Sequence, residues 1–457
     1  MNCIKFLNHS SLLVASKNIK ILCDPWFFGP AFQDGWSLLH DKSHDINNLD
    51  FDYVWISHEH PDHFSIPTIS ALNHKTKFLY QRTEDKKVKK YLESKGHEVI
   101  EIEHGKKTKI GDIELVLFVC DGYDSSVLFK FDDGRTFLNI NDARVDLDNH
   151  LENEIMPHLV NTKLDMVSFQ FSYANWAGNK GDIEISRHQQ EIVDKKNIYV
   201  LETLKPKECM LMASFVYFSH EENFYWNDNF YLNHAVKVLE NLNLDTRIIV
   251  PKINQIFDLD VNHQELECQD NNKNAIDFWS ELHKSAQINF RTKSIDDLQI
   301  LEEAFFDFYN RVSSKNNIFA SLKDIFDENN LSLNIFLNDI NQQIRISLSS
   351  KKFIVLEDGS SKEFDISIST ETFNFLMKNN FARGTIGINS RIIFNYENAH
   401  KFFIFFFIPY ANNIGRFYDD NKLFVDDVKA IERTAIMMSI FKFNSQSKTN
   451  FYKAIQA

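Results

Sequence analysis

The octapeptide Ser57-His58-Glu59-His60-Pro61-Asp62-His63-Phe64 constrains this chain more than any other stretch. It packs four metal-type side chains into six positions, at the spacing H-x-H-x-D-H. In an extended segment residues two apart point to the same side, so His58 and His60 can share one cation. A helical turn opened by Pro61 swings Asp62 and His63 toward a second position beside the first. The apolar run 53–57 ahead of the motif reads as a buried strand and 66–72 behind it as a helix, which puts the ligands at a strand end. The bland alternative is a solvated histidine-rich loop.

At 457 residues the chain exceeds one ordinary core, so two domains are expected. Hydrophobic residues at 43% and charged residues at 25% fit a soluble globular protein. A formal net charge of −14 argues against nucleic-acid binding, because no basic stripe exists to neutralise phosphates. The five cysteines, Cys3, Cys23, Cys120, Cys209 and Cys268, are widely spaced and form no C-x-x-C, which predicts a reduced, cytoplasmic setting. No signal peptide is read at the N-terminus, and the apolar run 402–408 is too short to cross a bilayer, reading instead as a buried strand or helix core.

Taken in order, 3–7, 12–15 and 19–23 predict a β meander that delivers Asp24 to a strand end. The aromatic and glycine-rich loop 26–36 follows, with Trp26 and Trp36 as candidate pocket walls. A β-α-β rhythm continues through 78–80, a helix over 84–95 and a strand at 98–102. Strands at 113–119, 126–131 and 136–140 leave Asp121, Asp124 and Asp142 at strand ends. A strand at 166–171 leads to Tyr173 and Trp176. Ser186 and Gln189 read as a capping box opening a helix that ends before Pro206. After a strand at 209–213, His220 lies in a loop. Residues 270–274 read as a polar linker, so a metal-binding domain over 1–265 is followed by an α+β domain over 266–457. That second part is read with helices at 296–311, 370–378 and 426–441, strands between 332 and 368, and no ligand cluster.

A dinuclear site needs three or four ligands per ion, preferably with one carboxylate bridging. His58 and His60 serve the first ion, Asp62 and His63 the second. Asp142 is the best bridge and His220 the best last ligand of the second ion. The third ligand of the first ion is a carboxylate, Asp121 or Asp124, because no histidine occurs between His104 and His150. Oxygen-rich ligation shifts the preference from zinc toward iron or manganese. His9 and Asp24 are assigned supporting roles, His9 as a donor orienting a ligand and Asp24 as an anchor of the histidine loop.

Asp24, the His58-to-His63 motif, a strand-end carboxylate near Asp121, Asp142 and His220 follow in order the motifs of the metallo-β-lactamase fold superfamily, which residues 1–265 resemble. The resemblance implies an αββα sandwich with two metals at one edge of the sheets. Most members carry histidine at the third motif, where this chain offers Asp. Within the superfamily, Asp24-Pro25-Trp26, Gly29-Pro30-Ala31-Phe32, Gly35-Trp36, Leu38-Leu39-His40, Ile56-Ser57-His58 with His60, Asp121-Gly122, and Leu138-Asn139 before Asp142 are similar to the cytidine monophosphate N-acetylneuraminic acid hydroxylase family. That implies iron, oxygen, an electron-donor protein and a nucleotide-activated sugar. The segment 364–368 with 385–391 is loosely similar to sterol-carrier-like domains. Three functions compete. The first is an iron oxygenase holding a small-molecule substrate with Trp26, Trp36, Tyr173 and Trp176. The second is a hydrolase in which Asp62 or Asp142 orients a metal-activated water. The third is a non-catalytic binding module.

Overall fold

A computed structural model describes residues 2–40, 46–120, 124–173, 176–259, 268–289, 295–317, 331–356, 363–413, 415 and 417–418. The chain forms two compact units, Met1–Ala174 with Gln190–Ile288, and Asn175–Gln189 with Asn289–Ala457.

Two seven-stranded sheets build the first unit. One orders β16 (Ile256–Asp258), β1 (Cys3–Asn8), β2 (Ser11–Ala15), β3 (Lys20–Cys23), β5 (Tyr53–Ile56), β6 (Lys77–Gln81) and β7 (Glu98–Ile102). The other orders β15 (Arg247–Ile249), β13 (Glu208–Met212), β12 (Met166–Gln170), β11 (Thr136–Asn141), β10 (Asp124–Phe131), β9 (Ile113–Cys120) and β8 (Lys107–Ile110). Both sheets change along their width from antiparallel hairpins, which need only short turns, to parallel strands joined by crossovers. A small ribbon pairs β4 (Trp36–Leu38) with β14 (Val216–Phe218).

Period-two alternation sorts the side chains into layers. Val54 and Ile56 of β5 join Phe78 and Tyr80 of β6 against Ile69 of α1 (Ile66–Ala71) and Val88 and Leu92 of α2 (Lys87–Ser94). Trp55 and Leu79, between them, face the other way into a core shared with Leu115, Leu117, Val127 and Phe137 of the second sheet. Val200 and Leu201 of α3 (Ile183–Leu204) and Val236 and Leu239 of α4 (Leu232–Glu240) pack with that second sheet's strands. The result is the expected helix-sheet-sheet-helix sandwich.

Several boundaries differ from the sequence reading. Helix α3 starts at Ile183, so Ser186 is no cap: its hydroxyl donates to the Ile183 carbonyl within the first turn. The expected linker at 270–274 lies inside α5 (Cys268–Lys284). Its polar composition has a specific use, since the buried Asn272 donates to the Ile248 carbonyl and accepts from the Val250 amide, satisfying the end of β15. Farther along α5, Trp279 is fully buried, stacks on Phe215 with ring centroids 4.1 Å apart, and donates to the Pro251 carbonyl. The first unit therefore runs to Ile288 instead of ending at 265.

The second unit has a five-stranded sheet in the order Lys352–Val355, Gln342–Ser347, Ser332–Leu337, Ile366–Ile368, Ile393–Phe394. Helices Leu298–Ser313, Thr370–Lys378, Ala382–Asn389, Ala399–Phe405 and Phe407–Asn413 accompany it, so the apolar run 402–408 is buried helix. The helix expected at 426–441 lies outside the described residues. Among the described residues no helix is long and apolar enough to cross a membrane.

Removing the indole that ties α5 to the sandwich should cost about 3–5 kcal/mol. Urea unfolding of Trp279→Ala should show that loss, and a change below about 1 kcal/mol would mean that α5 does not belong to this core.

Candidate metal centre

The site is assembled at strand ends around Asp24, the residue after β3. Asp24 is fully buried with φ of 42°, and each carboxylate oxygen is used. Oδ1 accepts the Ser57 amide at 2.7 Å, and Oδ2 accepts the Ser57 hydroxyl at 2.8 Å and the Asn141 side-chain amide at 2.9 Å. Nδ1 of His63 stands 3.0 Å from the same Oδ2. One carboxylate thus holds the segments that follow β3, β5 and β11.

Beyond Ser57 the chain behaves as its spacing predicts. His58 and His60 emerge on one side, with His58 Nε2 and His60 Nδ1 2.9 Å apart. The carbonyl of His60 then accepts the amides of His63 and Phe64, so Pro61 opens a turn that reverses Asp62 and His63. Ser65 caps α1 directly afterwards. At the end of β11 the register with β12 shifts between Asn139 and Asn141, a bulge that leaves Asn141 at φ of 52° and re-aims the next residue, Asp142.

Three groups of ligand atoms result: His9 with Asp62 and His63, His58 with His63 and Asp142, and His58 with His60 and Asp124. Within each group the atoms lie within 4.8 Å of one another. His63 Nε2 stands 3.5 Å from Asp62 Oδ2 and 3.4 Å from Asp142 Oδ2, and His58 Nε2 stands 3.8 Å from Asp124 Oδ1. These separations are too long for good hydrogen bonds. Accordingly His63 Nε2, Asp62 Oδ1 and Asp142 Oδ1 are buried without a hydrogen-bond partner. Buried polar atoms are normally satisfied, and a cation between His63 Nε2 and the facing Oδ2 atoms would give that imidazole nitrogen its partner.

The electrostatics favour positive charge here. Burial alone would push His63 down, but the carboxylates of Asp62, Asp142 and Asp24 outweigh it and hold the imidazole well above its ordinary value. Burial likewise opposes ionisation of Asp62, yet His63, His9 and His60 bring it down to about 2. His58 goes well below its ordinary value because it is buried and stands beside His63 and His60. It is thus a neutral donor.

The remaining predicted residues fall in several places. Asp121 lies outside the described residues; Asp124, its alternative, is in the first-ion group. None of the three groups includes His220, whose Nδ1 accepts from the Glu222 amide at 3.2 Å and stands 3.3 Å from the Glu222 carboxylate. The turn that carries it follows β14, which pairs with β4 instead of either main sheet. Trp26 is fully buried and donates to the Gly29 carbonyl, so it is a support wall behind His9, with ring centroids 5.4 Å apart. Trp176 packs in the second unit's core against Phe394. Trp36 and Tyr173 do line a common pocket with Phe218, Trp226, Phe230 and Tyr231. Among the described residues no Asp, Glu, Lys or Arg lines that pocket, and burial holds its His283 down at about 4. Trp36 connects it to the metal groups through Phe32, whose ring lies 4.8 Å from Trp36 and 5.8 Å from His60.

Sequence reasoning missed Ser57, Asn141 and Ser125, whose hydroxyl donates to the Ser57 carbonyl at 2.6 Å. It also missed Lys196 of α3, a buried amine that burial pushes below its ordinary value against the opposing pull of Asp142, Asp146 and Asp124. Only Asn141 had a readable signal, as the amide side chain preceding Asp142 at a strand end.

Residues 3–128 match the family model described as a beta-lactamase superfamily domain. A stretch of 97 residues, 20% of this chain, is 34% identical to cytidine monophosphate-N-acetylneuraminic acid hydroxylase of Danio rerio, and spans only 16% of that protein's length. Over 74 residues, 16% of this chain, the Xenopus laevis protein of the same name is 39% identical, again across only 12% of its length. Among solved structures, CmlA, a diiron beta-hydroxylase from Streptomyces venezuelae, superposes with a TM-score of 0.40 at 14% identity, covering 56% of this chain and 54% of that one. The metal-ligand motif at 58–63 falls inside the residues 3–128 that match, so the two-sheet sandwich carries a stretch similar to a beta-lactamase superfamily domain.

Proposed function

We propose that the first unit is a metal-dependent oxygenase that hydroxylates a small, nucleotide- or sugar-like molecule, with iron as its metal and a protein as electron donor. Asp124 carries this reading. A carboxylate completes the His58 and His60 group, where a third imidazole would suit zinc. With Asp62 and Asp142 it makes the donor set oxygen-rich, which suits iron or manganese. The hydroxylases matched by the N-terminal stretch support the same choice, although only a small part of their length is matched.

His58, His60 and Asp124 would hold one ion, and Asp62, His63 and Asp142 would contribute to the other. Bound iron supplies the one-electron chemistry that reaction with oxygen requires. The chain's own residues set the conditions. Asp24 accepts the Nδ1 proton of His63 and so keeps Nε2 free as the donor atom. Ser57 does the same service at His58, its hydroxyl lying 2.9 Å from Nδ1. Phe32 and Trp36 cover the His60 side and limit water there. The uncharged aromatic pocket beyond Trp36 receives a neutral part of the substrate.

A hydrolase is the second reading, and one feature favours it. Asp142 Oδ1 has no hydrogen-bond partner and is placed to orient an attacking water. The two readings separate cleanly. Protein purified without added metal should contain iron by elemental analysis, and after anaerobic reduction should consume oxygen. Zinc-only protein that cleaves a chromogenic phosphodiester with oxygen excluded, and loses that activity in Asp142→Ala, would establish the hydrolase instead.

The anchoring role of Asp24 makes a second expectation. Asp24→Asn keeps the shape but removes the charge that fixes the His63 tautomer, so metal affinity should fall about 10–100-fold in competition with a chelator. Unchanged affinity would show that His63 needs no such partner.

A further inference from the structure

We infer that His9 is itself a ligand of the second cation, joining Asp62 and His63 in one group of ligand atoms. The inference rests on the two-cation reading above and concerns which residues close the second site.

The first ground is distance. Ligand atoms of a tetrahedral site with bonds near 2.1 Å stand about 3.4 Å apart. His9 Nε2 to Asp62 Oδ2 is 3.3 Å, Asp62 Oδ2 to His63 Nε2 is 3.5 Å, and His63 Nε2 to Asp142 Oδ2 is 3.4 Å. The first two separations match edges of one coordination polyhedron, whose three ligand atoms lie within 4.8 Å of one another, and the third leads from His63 to the group that holds Asp142. A histidine that merely oriented Asp62 would make a charge-assisted hydrogen bond of about 2.7–2.9 Å. The observed contact, at 3.3 Å, is a long hydrogen bond whose length also suits two ligands of one ion.

The second ground is backbone. His9 sits in the turn between β1 and β2 at φ of 36°, in the left-handed region that few residues other than glycine adopt and in which histidine is among those enriched. Surrounding structure sustains it: the His9 carbonyl accepts the Ala213 amide at 2.9 Å, and its own amide donates to the Asn8 side chain. Trp26 closes the far side of the ring edge-on. The imidazole is fully buried and has been turned onto Asp62, and strain of this kind gathers at functional sites.

The third ground is vacancy of an acceptor role. Asp62 Oδ1 and His63 Nε2 are buried and lack hydrogen bonds. His220 is held by Glu222 and belongs to none of the ligand groups. A second ion therefore finds His9 beside the two donors that the motif supplies.

Co²⁺ titration of the full chain tests this directly, with stoichiometry and the visible ligand-field spectrum as readouts. His9→Asn is the informative variant, because Asn tolerates positive φ yet its short side chain does not reach the ion. Wild type should bind two Co²⁺. His9→Asn should bind one normally and the other more than about 100-fold more weakly, beyond the loss typical of a residue that only orients a ligand. The retained first ion certifies the fold. His220→Ala should keep both ions and an unchanged spectrum. If His9→Asn holds two ions with the wild-type spectrum, or His220→Ala loses one, the assignment is overturned while the two-cation reading stands. Fewer than two ions in wild type overturns both.

Discussion

A single buried carboxylate organises this centre. Asp24 lies where β3 leaves the sheet, and the four donors it accepts come from the loop after β5 and the bulge after β11. Each sheet of the sandwich thus contributes to one hydrogen-bonded knot. Burying a charge is expensive unless it is fully partnered, and Asp24 is fully partnered. The cost is what makes the arrangement selective: any shift of the motif loop leaves an unpaired anion in the core. The histidines are consequently oriented by the fold before any ion arrives.

Around that knot, the charge pattern grades from acidic to neutral. Asp62, Asp124 and Asp142 surround the histidines, while the pocket past Phe32 and Trp36 has aromatic and amide walls. The first region has the charge to attract a cation, and the second has none of that charge among its described lining residues. The two regions share a wall at Trp36. This division follows from the loops after β3 and β13, which approach the same edge from opposite sheets.

The sandwich and the motif were legible in the sequence because both obey short-range periodicities. Alternation at β5 and β6, the i, i+2 relation of His58 and His60, and the turn after Pro61 all act within a few residues. What was not legible depends on distant partners. Asn272 and its polar neighbours read as a linker, since nothing local reveals that its amide satisfies β15. Trp176 read as a pocket residue from composition alone, although it packs against Phe394 in the second unit's core, far along the sequence. The carboxylate at the first ion was narrowed to Asp121 or Asp124, and the hairpin geometry that brings Asp124 toward His58 is itself a tertiary fact.

The pairing of β1 with β16 has a bearing on biosynthesis. Cys3 lies opposite Asp258, so the strand made first waits for one made some 250 residues later. At ribosomal speeds of about 5–20 residues per second, that wait lasts roughly 13–50 s. Throughout it, one side of β1 presents bare amides and carbonyls, the kind of surface that recruits other nascent chains. A cell making this protein quickly has reason to shield that edge, and its yield of folded molecules depends on how well the early strands are guarded until residue 258 emerges.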